Sequence, residues 1–307
     1  MTEIRLKILA ADSMGVRSMA TVVEVGGVKI AIDPGVSYAP RRYGLPPHPR
    51  ELKRLEEKKN LIYQELLDTD IIVITHYHYD HYLYHDEEAE YYEGKILFIK
   101  DPRNNINVSQ RIRAHRLLKK MGVENLAKEL HILDNRSYEI DKGFHIIGSP
   151  PVPHGAEGSK LGYVDMVMIE CCDERIVHAS DVQGPISKQA LKILEEWEPT
   201  LLFISGPPTY FAGFKVDEKI VQEGMLNLVT IARRVEVLIA DHHFARDLQY
   251  PRYLEDLRSI NTRAMSAAEF MGAPIELLEA QRKELWEKEP PDNSRASRES
   301  FLAMDKG

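Results

Sequence analysis

Four of the twelve histidines lie within ten residues, in the segment THYHYDHYLYH. His76, His78, Asp80 and His81 follow directly after an apolar run over 71–74, which predicts a buried strand. Where a strand ends in a loop, side chains two residues apart can converge on one point, and the next pair on a neighbouring point. Imidazole nitrogens and carboxylate oxygens are ligands that Zn²⁺ and similar divalent ions accept. The spacing therefore predicts a metal site at the end of a strand.

The elements around this segment predict an α/β protein. Apolar runs predict strands over 4–9, 21–25, 28–32, 71–74, 95–99, 144–147, 166–169, 175–179, 201–204 and 235–240. Amphipathic or charged segments predict helices over 50–67, 108–121, 186–197, 218–234 and 275–286. Strands that alternate with helices are typical of buried sheets. No strand is predicted past residue 250, so we expect one domain over 1–250 and a helical C-terminal extension with a polar tail over 251–307.

The composition excludes several classes of protein. Of the 307 residues, 43% are hydrophobic and 29% are charged, which is typical of a globular protein. No segment is apolar over the roughly 18 residues of a membrane span. A net charge of −8 argues against general nucleic-acid binding, although five basic residues between 111 and 120 share one predicted helix. Two adjacent cysteines and the lack of a secretory signal predict a cytoplasmic protein without disulfide bonds.

Several motifs, in order along the chain, resemble one known family. The segment THYHYDH resembles the T-H-x-H-x-D-H signature of the metallo-β-lactamase superfamily. The other motifs that match this superfamily are Asp33 in an early acidic turn, His154 in PVPHG, Asp181 in VHASD, and the pair His242 and His243 after a late strand. The resemblance covers residues 4–250 and is nearest to an uncharacterised, largely archaeal branch of predicted hydrolases. Ser180 departs from the pattern, because the superfamily usually has glycine before the aspartate.

The resemblance implies a four-layer αβ/βα sandwich with a metal site at one edge, where the strand-exit loops meet. It also implies two divalent ions, zinc first and Mn²⁺ or Fe²⁺ as alternatives. The implied ligands are His76, His78 and His154 for one ion, Asp80, His81 and a late histidine for the other, and Asp181 as the bridge between them. Asp181 and Asp80 are therefore the candidate catalytic residues. A water between the ions would lose a proton near neutral pH and become the nucleophile.

The last ligand and the residues around the site have alternatives. His243 is the predicted ligand, because HFARD resembles the stretch after the last ligand in nucleases of the superfamily. Counting from the end of the strand favours His242 as the ligand instead. If His243 is the ligand, His242 would support a ligand or donate a proton to the substrate. Asp33 is expected to orient a ligand imidazole. Arg17 could hold an anion or simply connect two strands, and Tyr210 could contact substrate or only shape a turn.

The leading functional hypothesis is a metal-dependent hydrolase that cleaves an ester-like or phosphodiester bond of a small-molecule or phosphodiester substrate. A nuclease of the same superfamily is one alternative. The other is a non-catalytic, metal-binding regulatory scaffold that forms an oligomer through its C-terminal helices. Every ligand position of the motif is filled, which favours an enzyme. The sequence contains no serine or cysteine nucleophile motif and no glycine-rich phosphate loop that would support another class of enzyme. No membrane partner is expected.

Overall fold

The computed structural model describes residues 4–140 and 143–290, and its first six strands form one sheet. These strands are β1 (Ile4–Ile8), β2 (Thr21–Val25), β3 (Val28–Ile32), β4 (Ile71–Ile74), β5 (Ile96–Ile99) and β6 (Glu129–Ile132). They lie side by side in chain order. Neighbours are antiparallel from β1 to β3 and parallel from β3 to β6. The carboxyl ends of β3, β4 and β5 therefore meet at one edge of the sheet.

A second sheet contains seven strands. The later strands are β7 (Ser137–Ile140), β8 (Phe144–Gly148), β9 (Val152–Pro153), β10 (Tyr163–Val164), β11 (Val167–Cys171), β12 (Glu174–Ala179), β13 (Leu201–Ser205), β14 (Val237–Asp241) and β15 (Ala264–Met265). Their order in the second sheet is β15-β14-β13-β12-β11-β8-β7, and β9 and β10 form a separate small ladder. Because β12 to β15 are parallel, β12, β13 and β14 also end at one edge.

Helices cover the outer faces of both sheets. They are α1 (Pro49–Leu66), α2 (Val108–His115), α3 (Val123–Leu126), α4 (Lys188–Trp197), α5 (Glu218–Ala232), α6 (Tyr250–Arg258), α7 (Ala267–Phe270) and α8 (Arg282–Lys288). A capping box fixes the start of α1, because the Glu51 side chain accepts a hydrogen bond from the His48 backbone N–H at 2.9 Å. No helix within the described ranges is long and apolar enough to cross a membrane.

Alternate residues of the strands face two different layers. Val23 of β2 and Val73 of β4 pack with Phe144 of β8 and Ile169 of β11 between the two sheets. The opposite face of the first sheet packs on α1, and that of the second sheet packs on α4, α5 and α6. The apolar alternation thus places helices outside and sheets inside. The fold is the expected four-layer αβ/βα sandwich.

The region past residue 250 differs from its prediction. The sequence predicts no strand there, but β15 extends the second sheet beside β14. The predicted helix over 275–286 begins only at Arg282, because the backbone N–H of Glu276 donates to Ser13 O at 2.8 Å and the chain there runs beside Met14. Leu254 and Leu257 of α6 also belong to the core of the second sheet. The part of the predicted polar tail over 291–307 lies outside the described residues.

Candidate metal centre

The predicted ligands meet at the edge where the parallel strands of both sheets end. His76 comes two residues after β4, and Asp181 comes two residues after β12. His242 directly follows β14, and His154 directly follows β9. The two sheets therefore contribute ligands from opposite sides of a single cluster, as the topology requires.

Four imidazoles lie close to one oxygen of Asp181, and three of them form a first group. The Oδ2 atom of Asp181 lies 3.3 Å from Nε2 of His76, 3.8 Å from Nδ1 of His78 and 2.7 Å from Nε2 of His154. All four ligand atoms lie within 4.8 Å of one another. Ligand atoms around a tetrahedral ion, bound at about 2.0–2.1 Å, are roughly 3.3 Å apart. This first group, His76, His78, His154 and Asp181, therefore has the spacing of ligands to one ion.

A second group also contacts the carboxylate of Asp181. Nε2 of His81 is 3.4 Å from Oδ2 of Asp181 and 3.8 Å from Oδ1 of Asp80. Nε2 of His242 is 3.0 Å from Oδ1 of Asp181 and 3.8 Å from Oδ2 of Asp80. Asp80, His81 and His242 thus offer three ligand atoms to a neighbouring position, and Asp181 contacts both groups.

The neighbouring residues His242 and His243 lie in two different environments. His242 is fully buried beside Asp80 and His81, whereas His243 lies outside that group and points its Nδ1 at Tyr210 and Arg246. His242 has a left-handed backbone with φ of 58°, and His243 has an ordinary helical φ of −52°. The left-handed turn directs the first imidazole back to the strand ends. The geometry thus groups His242, rather than the predicted His243, with Asp80 and His81. It also groups His243 with Asp181 and His242, with Nε2 of His243 3.3 Å from Oδ1 of Asp181, so His243 as a ligand stays a prediction.

Unpaired polar atoms show that the two groups suit a cation. Nε2 of His76, Nε2 of His81 and Oδ1 of Asp181 are buried and form no aligned hydrogen bond within the described residues, although each lies within 3.4 Å of another ligand atom of the cluster. Leaving such atoms unpaired costs about 1–3 kcal/mol each. Nitrogen and oxygen donors aimed at common points are instead satisfied by a divalent metal ion. The residues present therefore fit the metal that the sequence predicts.

The pKa values of the cluster also favour bound cations. Burial lowers the pKa of His76 well below its usual range and that of His78 to about 4, so both are neutral, as ligands must be. Burial also acts on His81, but Asp181 and Asp80 raise its pKa well above the usual range. Burial opposes ionisation of Asp181, yet His154 and His242 hold its pKa well below the usual range. Burial likewise opposes ionisation of Asp80, but His81, His242 and Arg246 lower its pKa. The ionised carboxylates of Asp80 and Asp181 thus attract positive charge into the cluster.

Asp33 lies beside a ligand imidazole, where the sequence places it. Its Oδ2 is 2.9 Å from Nδ1 of His81, and it also accepts hydrogen bonds from the backbone and hydroxyl of Thr75. Burial would raise the pKa of Asp33, but the hydrogen bond from His81 helps lower it to about 2. Ser180, which replaces the usual glycine, has its Oγ 3.1 Å from the same Nδ1. Together these contacts turn Nε2 of His81 toward the cluster.

Asp12 supports His242 as Asp33 supports His81, and the sequence did not predict this contact. Asp12 places Oδ2 2.7 Å from Nδ1 of His242 and accepts from Nε of Arg246 at 2.7 Å. Asp12 lies in a short polar loop without a recognisable motif, so no signal in the sequence singles it out. Gln183 is also unpredicted, and its Nε2 lies 3.4 Å from Nδ1 of His154. Arg246 could be found from its place in the HFARD stretch.

The two remaining predicted residues lie next to the cluster. Arg17 forms a two-point ion pair with Glu279, at 2.5 and 2.7 Å, so its charge is already neutralised and the structure gives no support to a role in holding an anion. Tyr210 has its hydroxyl 3.4 Å from Nδ1 of His243. Burial raises the pKa of Tyr210, although Arg246 and Arg17 oppose this effect. The tyrosine therefore keeps its proton beside His243, on the open side of the cluster, where the side chains of His78, Asp80 and His243 are 18%, 16% and 11% exposed.

Comparisons with known proteins identify relatives of this chain. The family model of the metallo-β-lactamase superfamily matches residues 14–90. A UPF0282 protein of Aeropyrum pernix is 46% identical over 294 residues, which cover 93% of this chain and 99% of the relative. A UPF0282 protein of Thermococcus gammatolerans is 43% identical over 292 residues, which cover 92% of this chain and 94% of the relative. These relatives span nearly the whole chain.

Solved structures share the fold at low sequence identity. The metallo-β-lactamase fold protein YhfI from Bacillus subtilis has a TM-score of 0.51 and 12% identity, covering 86% of this chain and 96% of its own. Unliganded yeast PDE1 has a TM-score of 0.51 and 14% identity, covering 87% of this chain and 99% of its own. At these identities the likeness concerns the fold alone.

Proposed function

Because the chain belongs to the UPF0282 family, an archaeal branch of the metallo-β-lactamase superfamily, we propose that it is a hydrolase that uses two divalent metal ions. The family names state no activity, so the proposal depends on the site. Zinc is the expected ion because the ligand types suit it, and Mn²⁺ and Fe²⁺ are the alternatives.

The observation that carries this proposal is the position of Asp181 between two ligand groups. Its Oδ2 is 2.7 Å from Nε2 of His154, and its Oδ1 is 3.0 Å from Nε2 of His242. One carboxylate could therefore join two ions, with His76, His78 and His154 holding the first. Asp80, His81 and His242 would hold the second. Asp181 also has a left-handed backbone, with φ of 49°, a conformation that costs energy in non-glycine residues and is retained mainly at functional sites.

Bound divalent ions would supply Lewis acidity, which lowers the pKa of water and polarises the bond under attack. The chain provides the rest of the environment. Asp80 and Asp181 offset part of the positive charge, and Asp33 and Asp12 hold the outer nitrogens of His81 and His242. Fixing an imidazole in this way sets its tautomer and its direction.

The open side of the cluster would hold the substrate. The hydroxyl of Tyr210 keeps its proton, so it can donate a hydrogen bond to a substrate oxygen. It lies beside His243, whose Nε2 is in turn close to Asp181. An ester-like or phosphodiester bond presents such an oxygen. Hydrolysis of either bond begins with attack by water, and the two substrates differ in charge.

Metal analysis combined with turnover tests this function. Protein loaded with zinc or manganese should contain more than one metal equivalent and should hydrolyse bis(p-nitrophenyl) phosphate or p-nitrophenyl acetate. Asp181→Ala should lose this activity while its circular dichroism stays native. Asp173→Ala removes an exposed aspartate in the β11–β12 turn and should behave as wild type.

The outcomes separate the alternatives. Two bound metals with no turnover of any ester would favour the regulatory scaffold over the hydrolase. Cleavage of single-stranded DNA or RNA, with little action on the small substrates, would favour the nuclease. Activity of Asp181→Ala within a few-fold of wild type, with two metals retained, would contradict the bridging role.

A further inference from the structure

Three arginines lie around the open side of the cluster, but only two have a carboxylate partner. Arg17 pairs with Glu279, and Arg246 pairs with Asp12. Arg42 forms no ion pair with any carboxylate in the described part of the chain. Its neighbours are the Arg246 carbonyl oxygen, 3.2 Å from Nη2, and the Tyr43 hydroxyl at 3.5 Å. The positive charge of Arg42 is therefore not neutralised.

The guanidinium of Arg42 is connected to the metal-ligand cluster through an aromatic ring. Its central carbon lies 4.5 Å from the centre of the Tyr210 ring. The hydroxyl of the same ring is 3.4 Å from Nδ1 of His243, whose Nε2 is 3.3 Å from Asp181. A cation over an aromatic face is held at a defined place. Arg42 therefore lies on the Tyr210 side of His243, one aromatic ring away from that imidazole.

Part of this guanidinium is buried without a partner. Nε of Arg42 is buried and has no hydrogen-bond partner, and Nη1 has none among the described residues. A buried N–H group left unpaired costs about 1–3 kcal/mol, and more when it is charged. The described residues thus leave hydrogen-bonding capacity of this guanidinium unused, and a ligand with oxygen acceptors would use it at Nη1.

Contacts from the C-terminal region hold the segment that carries Arg42. Arg42 and Leu45 pair across a tight turn, and the Tyr43 hydroxyl donates to Ala280 O at 3.1 Å. Arg282 donates to Leu45 O at 3.1 Å and to Ala39 O at 2.9 Å. These bonds fix the segment on both sides of Arg42. The guanidinium is consequently presented by a supported turn.

We propose that Arg42 binds an oxyanion group of the substrate, so that the natural substrate of this hydrolase is an anion. A guanidinium forms charge-assisted hydrogen bonds with the oxygens of a phosphate or a carboxylate, and either group supplies the acceptor that Nη1 lacks. The proposal rests on the proposed function for the meaning of substrate, but its binding step can be measured without turnover.

Titration calorimetry with inorganic phosphate tests the anion site directly. Phosphate should bind the metal-loaded wild type, and Arg42→Gln should weaken binding by about tenfold or more, as expected when a charged hydrogen bond is lost. Arg42→Lys should recover part of the affinity. Arg41→Gln removes an exposed arginine next in the chain and should leave the affinity unchanged. Thermal unfolding should show that all variants are folded.

Kinetics provide the second measurement. For anionic bis(p-nitrophenyl) phosphate, Arg42→Gln should raise KM about tenfold with kcat within a few-fold, whereas neutral p-nitrophenyl acetate should show no change. Equal phosphate affinity in Arg42→Gln and wild type, or no measurable phosphate binding to wild type, would overturn the proposal. If phosphate binding depends on Arg42 but no ester is cleaved, the anion site stands and the hydrolase function fails.

Discussion

The Oδ2 atom of Asp33 lies 2.9 Å from Nδ1 of His81, although 48 residues separate the two along the chain. Asp33 follows β3 and His81 lies in the loop after β4, so the parallel pairing of these strands brings them together. The carboxylate occupies the outer nitrogen of the imidazole and leaves Nε2 for the cluster. The contact therefore determines which nitrogen of His81 can bind a metal.

We expect Asp33→Asn to weaken metal binding about 10–100-fold, the usual effect of losing a group that supports a metal ligand. The amide can still accept from Thr75, but its charge is lost and its NH₂ can face the N–H of His81. Chelator competition measures the affinity. Asp68→Asn, which alters an exposed ion pair with Lys29, is the matched control and should keep the wild-type affinity. Equal affinities in both variants would remove Asp33 from this role.

His242→Ala should reduce the metal content from about two equivalents to one, because Nε2 of His242 is grouped with Asp80 and His81. His243→Ala should keep both ions and lose activity through the substrate side. Elemental analysis after dialysis measures the content. The opposite result, with the second ion lost only in His243→Ala, would restore the ligand that the sequence resemblance predicts.

Metal binding should release at least one proton near pH 7. Burial lowers the pKa of His81, but Asp181 and Asp80 raise it well above 6.5, so the metal-free imidazole is charged. His78, with a pKa of about 4, is already neutral and releases none. Since a ligand must be deprotonated, affinity should rise with pH by about tenfold per unit for each proton released. Calorimetry in two buffers of different protonation enthalpy counts the protons, and a count of zero would contradict the charge assigned to His81.

Arg282→Ala should destabilise the protein by about 3–5 kcal/mol, because it leaves the buried carboxylate of Glu51 without its partner. The guanidinium is fully buried and bonds both oxygens of Glu51, at 2.8 and 2.7 Å. Denaturant unfolding measures the change. Lys283→Ala, at the exposed next position, should stay within about 0.5 kcal/mol of wild type. A small effect at Arg282 would show that solvent reaches Glu51 easily.

The sandwich could be predicted because most of its strands are apolar runs. β4 is buried at every position, and its sequence IIVI admits little else. β6 and β7 escaped prediction because they are half exposed and carry polar residues such as Glu129 and Glu139. β15 is only two residues long, and its pairing with β14 depends on the folded sheet rather than on a local pattern.

The candidate site also contains some residues that the sequence can identify and others that it cannot. His76, His78, Asp80 and His81 form a local motif, which sequence spacing can identify. The choice between His242 and His243 depends on the left-handed backbone of His242 after β14. Such a conformation is usually predicted from a glycine, and this position has none. Asp12 and Arg42 act through partners more than 200 residues away, such as His242 and Arg246, so local sequence cannot reveal them.

The C-terminal contacts have a consequence for the order in which the site is completed during synthesis. His48 Nε2 lies 2.8 Å from the carbonyl of Glu289, and the indole of Trp286 donates to Pro46 O at 3.0 Å. The metal-ligand residues nearest the N-terminus leave the ribosome long before these partners exist. A nascent chain could therefore gather its first histidines early, but the turn that presents Arg42 would gain the support of Ala280 and Arg282 only after these residues have emerged, and the segment that follows the turn would be held last. Translation itself would delay substrate binding until these C-terminal partners have left the ribosome.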